Sequence, residues 1–310
     1  MVTIADRTNA PWSLVGKNIG ETNSMREAMI KGGLDYEVVK EPLYRSDGSI
    51  IPKYYGIMRK DTREIFDTVK EVWKGLSNQD AFEFFDPALQ KNLIKIESVG
   101  SLRGGKRAFI VARINETPLE ITKGDIVNKY MLLLNNFDKT SIRVGFIPVR
   151  FSCTNQLASI MRDRQSQILK IRHCRSPKVA LEQLRGILDL ANAEFTTTQE
   201  KLKMLASTSI NSQDLQKYIK IALEIKEDKD GNISTRSSNI INQIANLAVS
   251  GGGNDNPNVR GTYYAAYNGI TEYLNYYAGR NVDTRLENLW LGKNANINNN
   301  ALSVALDMAS

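Results

Sequence analysis

Histidine occurs once in the 310 residues, cysteine twice and tryptophan three times. Two cysteines cannot build a disulfide framework, so free thiols in a reducing, intracellular setting are expected. The lone His173 sits beside Cys174, with Cys153 21 residues upstream and no fourth soft ligand. Zinc sites take spaced ligand pairs such as C-x2-C, and that spacing is missing, so no metal is expected. Acids are common but scattered: Asp61, Asp80, Asp86 and Asp125 fall at turns and caps, with no D-x-D pair to hold a nuclease's magnesium. No apolar run approaches the ~20 residues that span a bilayer. The opening MVTIADRTNAPWSLVGKNIG lacks the apolar stretch of a signal peptide. The expectation is a cytoplasmic protein without cofactor, membrane contact or enzyme chemistry.

What is present is positive charge, concentrated in one place. Residues 141–185 carry nine Lys or Arg against two acids, Asp163 and Glu182, a net of +7 that equals the formal excess of the whole chain. Nucleic acid is the acidic partner such a stretch suits best. The arginines of 141–185 are expected to converge on one face, with the segment folding as a strand followed by two helices.

The chain divides into two textures. Residues 1–33 look like a polar arm with one short helix from Ser24 to Ile30 that stops at Gly32-Gly33. From 34 to about 151 the pattern is mostly β. Tyr36–Tyr44 and Ile50–Lys60 alternate around a turn at Asp47-Gly48, a helix is expected over 65–76, and a second over 78–87 that stops at Pro87. Leu93–Val99 and Arg107–Ile114 flank SLRGGK as a hairpin, and Tyr130–Leu134 pairs with Ser141–Val149 through NNFDKT, giving four antiparallel strands. After Asn155 the period becomes helical: 155–169, 177–206, 212–225, 239–249 and 262–278 read as helices, with GGGNDNPN (251–258) as a flexible joint. The fold class is therefore α+β, an antiparallel sheet in the N-terminal half followed by a mainly helical C-terminal half. Its parts are an arm at 1–33, a core domain at 34–250, and a helical segment at 251–310 packed on that core.

SLRGGK lacks the P-loop spacing G-x4-G-K-[ST], and a turn between strands is the simpler reading. Its basic flanks, Arg103, Lys106 and Arg107, would still let a hairpin tip reach a phosphate backbone. An adjacent His173-Cys174 nucleophilic pair and an enzyme with Cys153 as nucleophile are the weaker alternatives to buried, inert thiols. The tyrosines at 263, 264, 267, 273, 276 and 277 fall on one expected helix at core spacing, and a base-stacking platform is the sharper alternative.

Several motifs together resemble a family of phage and plasmid proteins catalogued as domain of unknown function number 932. They are AFEFFDPAL (81–89), SVGSLRGGKRAFIVARI (98–114), YMLLLNNFDKTSIRVGFIPVRFSCTNQLA (130–158), KIRHC (170–174), GTYYAAYNGITEYLNYY (261–277) and RLENLWLG (285–292). Tyr264 departs from the family's usual Trp in the G-T-x-W segment. The resemblance implies a mobile element in a bacterial host and no established activity. A looser likeness in outline to phage single-strand annealing proteins is a fold-level analogy. The expected function is sequence-tolerant binding of single-stranded DNA, with annealing, by a homo-oligomer. Arg103, Lys106, Arg107, Arg143, Arg150, Arg172, His173 and Arg175 are the expected phosphate contacts. The alternative is a non-enzymatic interaction factor that blocks a host enzyme or defence system, with a phage or host protein as partner.

Overall fold

The computed structural model describes residues 9–73, 75–137, 142–152, 154–157 and 177–310, the side chains of 142 and 177–182 excepted. From Asn9 on, the arm is held against the rest of the fold. Pro11–Leu14 forms one 3-10 turn that buries Trp12 against Tyr130, ring centroids 5.1 Å apart. Lys17 then bridges to Val99 through two backbone hydrogen bonds. Helix α1 (Met25–Gly32) starts where Ser24 Oγ accepts the Glu27 N–H. It ends on Gly33 at φ +76°, a left-handed cap that a residue with a Cβ disfavours.

Strands β1 (Val38–Tyr44), β2 (Ile50–Arg59) and β3 (Ile65–Lys70) make a small antiparallel sheet in that order. The helix expected over 65–76 is therefore wrong. IFDTVK carries β-branched and aromatic residues that pair with β2, and Phe66 buries against Phe137 at 5.9 Å. Two short helices follow, α2 (Asn78–Phe82) and α3 (Asp86–Gln90). Pro87, expected to stop a helix, sits in the first turn of α3, where its missing N–H costs nothing.

The main sheet holds β4 (Ile94–Leu102), β5 (Arg107–Ile114), β6 (Leu119–Thr122), β7 (Asp125–Asn136) and β8 (Ile142–Arg150), one strand more than the sequence suggested. β7 is the spine, pairing with β5 and β6 along one edge and β8 along the other. Its run YMLLL is apolar on both faces because both faces are covered. Tyr130 and Phe109 share a face, the latter through its partner Leu134, and meet Trp12 and Trp290 there. Phe146, opposite Met131, points the other way to Phe195.

That second face is closed by α4 (Pro177–Ser207). Then come α5 (Ser212–Ala222), α6 (Thr235–Ser250), α7 (Tyr263–Glu272), whose last turns widen into a π-helix at Tyr273–Tyr277, α8 (Val282–Leu291) and α9 (Lys293–Ala309). All ten residues of α7 are buried. At Gly269 a Cβ would lie 2.8 Å from the Ala248 nitrogen, so α6 and α7 touch backbone to backbone there. One apolar cluster runs from Trp12 through the main sheet to Ala305, joining arm, sheet and C-terminal helices. The expected helix from 155 does not begin there: Gln156 forms a β-bridge with Val149, and the rest of 158–169 lies outside the described residues. Among the described residues no helix is long and apolar enough to cross a membrane, and no group of three His, Cys, Asp or Glu could hold a metal.

Candidate nucleic-acid interface

The β4–β5 hairpin turns as expected, but its tip is a joint, not a finger. Arg103, Gly104 and Gly105 all take positive φ (55°, 66° and 110°), so the chain reverses within one 3-10 turn. The tip lies against the small sheet's base. Tyr36 donates its hydroxyl to the Gly105 carbonyl at 2.6 Å, and Arg59 Nη1 donates to the Gly104 carbonyl at 3.0 Å. Any Cβ at Gly104 would sit 2.6 Å from Glu64 Oε2. Burial pushes the Tyr36 hydroxyl up to about 12, so it remains a donor across the neutral range. Arg59 in turn grips Asp61 through Nε at 2.8 Å and holds that carboxyl below the usual carboxylate range.

The tip's cations are already engaged. Arg103 Nε donates to Glu287 Oε2 on α8 at 2.6 Å, Arg107 Nη1 pairs with the other oxygen of the same carboxylate, and the Arg103 N–H reaches Asp283 at 3.4 Å. Lys106 lies 3.4 Å from Asp67 on β3. Glu287 is only 13 % exposed, which makes it a strut between hairpin and C-terminal helices. As phosphate contacts these three residues would first have to leave their acids.

Arg150 requires a plainer correction, because its side chain is fully buried. Its Nε donates to Asp125 Oδ1 at 2.7 Å, Nη1 to the Gly252 carbonyl at 2.9 Å and Asn254 Oδ1 at 2.8 Å, and Nη2 to the Gly253 carbonyl at 2.8 Å. The guanidinium also lies 5.2 Å from the centroid of the Tyr264 ring. It cannot touch a ligand on the surface. The same contacts overturn the flexible joint: GGGN is held at its carbonyls, and Asn254 donates onward to the Leu247 and Ala265 carbonyls.

Arg143 faces the other way along β8, since residues seven apart on a strand point to opposite sides. It shares the Arg107 face through the register Phe109–Leu134–Arg143, at the tip end of the sheet. It is half-buried, and its Nε has no hydrogen-bond partner among the described residues. The expected convergence of the 141–185 arginines on one face thus fails for Arg143 and Arg150, which lie on opposite sides of β8. Arg172, His173 and Arg175 lie outside the described residues, as does Cys153.

The tyrosine helix is core. Tyr263, Tyr264, Tyr267 and Tyr276 are buried, Tyr267 bonding Asn298 and Tyr276 bonding Thr154. Tyr273 and Tyr277 are half-exposed and stack on each other, ring planes 9° apart. The accessible aromatics among the described residues are elsewhere: Phe151, just after β8, is 71 % exposed, Tyr44 on β1 60 % and Tyr54 on β2 45 %. The adjacent pair Tyr54-Tyr55 was the missed signal. Consecutive strand residues face opposite ways, and a small sheet covers one face at most.

A family model described as Domain of unknown function (DUF932) matches residues 66–293, from within β3 to the first residue of α9. No curated protein matches the chain. No solved structure matches it either.

Proposed function

This chain belongs to the family described as Domain of unknown function (DUF932), a description that assigns no activity, and we propose from the chain's own charge distribution that it binds single-stranded nucleic acid without sequence preference. The observation that carries the reading is the charge of 141–185. With the buried Arg150 set aside, eight Lys or Arg remain there against two acids, a net of +6. Arg143, Arg172, His173 and Arg175 are the expected contacts, joined by Arg185, which is exposed on α4. The tip residues Arg103, Lys106 and Arg107 serve the fold. Strand annealing by a homo-oligomer of a phage or plasmid, in the cytoplasm of a bacterial host, is the setting we propose for this binding.

Titration of a fluorescent oligothymidylate at several salt concentrations tests it. If about five cations contact phosphates, log affinity should fall against log salt with a slope of about −3.5, so a fourfold rise in salt weakens binding roughly 100-fold. Arg172→Gln with Arg175→Gln should flatten that slope by about 1.4. A wild-type chain that shows no binding to single strands at low salt would falsify the proposal.

A further inference from the structure

The β1–β2 hairpin ends before residue 66, so it stands outside the matched family region. Its base is anchored: Ile57, Phe66 and Phe137 form a small apolar cluster with Tyr36, Val38, Val69 and Trp73 around it. Beyond Gly56 the two strands lose that support, and Tyr44, Ile50 and Tyr54 are each about half exposed or more.

Cations are interleaved with the rings. Tyr54 lies opposite Lys70 in the β2–β3 register, and on the other face Lys40 Nζ stands 4.8 Å from the Tyr55 ring centroid. Lys53, exposed, sits at φ +64° where β2 departs from regular pairing. Among the described residues no ion pair engages Lys40, Lys53 or Lys70, in contrast to the three tip cations, although Lys40 Nζ donates to the Glu71 carbonyl at 2.8 Å. An apolar patch of this size would also suit a second copy of the chain. However, lysines are depleted from the buried cores of protein interfaces and favoured on strands kept from pairing. Flat rings flanked by lysines that no acid neutralises fit a strand whose bases are unstacked and whose backbone is anionic.

We propose that the β1–β2 arm is a base-stacking surface for single-stranded nucleic acid. Tyr54 and Lys70 lie on one face of the arm and Tyr44 and Lys40 on the other, so a strand that wraps the arm stacks one base on each ring while its backbone passes Lys53 at the bulge. This rests on the binding proposed above and adds where the bases go. A duplex, with its bases stacked internally, offers these rings nothing comparable.

The test is binding of an oligothymidylate of about 16 nucleotides to wild type, to Tyr44→Ala/Tyr54→Ala, and to Tyr44→Phe/Tyr54→Phe. The alanine pair should lose roughly tenfold per ring, about a hundredfold together, with the salt slope unchanged because no charge is removed. The phenylalanine pair should bind nearly as wild type, since the stack survives. Both side chains are exposed, so the circular dichroism and melting temperature of both variants should match wild type. If wild type binds and the alanine pair binds equally well, the arm is wrong while the binding proposal stands. If wild type fails to bind, both fall. Should the alanine pair sediment as a smaller species than wild type, the arm is an interface between copies and the stacking role is overturned.

Discussion

Arg150→Ala is expected to cost about 3–5 kcal/mol of stability, lowering the melting temperature by roughly 10 °C. The buried Asp125 carboxylate would lose its only described cation, and the Gly252 and Gly253 carbonyls and the Asn254 amide oxygen would lose their donor together. Buried acceptors stripped of partners cost more than the net worth of the bonds they made. Arg150→Lys should recover little, because one ammonium cannot reproduce a planar fork that serves four acceptors. Asp125→Asn should also destabilise, by leaving the guanidinium charge uncompensated in the interior. A double substitution of Arg150 by Met and Asp125 by Leu removes both charges and should lie well above the single alanine variant. Urea denaturation of the four variants decides this. A loss under about 1 kcal/mol for Arg150→Ala would mean the 251–254 loop holds its place without it.

That residue also shows how far the sequence reaches. The strand β8 was legible from its apolar alternation, and the hairpin at SLRGGK from two strand patterns around a glycine pair. The class followed, because a change of period near residue 155 is a local signal. Partners are not. Counting Arg150 among surface cations assumes that an arginine in a basic stretch faces water, yet four acceptors 25 to 104 residues away take it inside. GGGND reads as a joint by composition, and its carbonyls become a fixed cage only once β8 delivers a guanidinium to them. Residues 65–70 failed for a related reason. Their pattern admits either period, and pairing with Tyr54–Met58 decides for the strand. The candidate site was legible only as a charge balance. The strand pattern at Ile50–Lys60 was legible, but exposure of Tyr54 and Tyr44 depends on how little of the molecule packs against the small sheet, which no local pattern carries.

The tip of the β4–β5 hairpin offers the second large effect, and it separates a structural cation from a binding one. Glu287→Ala should cost about 1.5–3 kcal/mol, the range for hydrogen bonds to charged groups, since two guanidiniums lose one shared carboxylate. Arg107→Gln should cost more than Arg103→Gln, because the Arg107 side chain is 20 % exposed and the Arg103 side chain 52 %. The triple variant Arg103→Gln/Arg107→Gln/Glu287→Ala should be more stable than the sum of the singles implies, by about 1 kcal/mol or more, as coupled partners require. Through all of this the salt slope for single-stranded DNA should stay at its wild-type value, because charges already neutralised within the fold release no counterions on binding. The opposite pair of results is equally readable. If Arg103→Gln with Arg107→Gln leaves the melting temperature alone and flattens the slope by about 1.4, the guanidiniums leave Glu287 for phosphate. The hairpin tip would then be part of the binding surface after all.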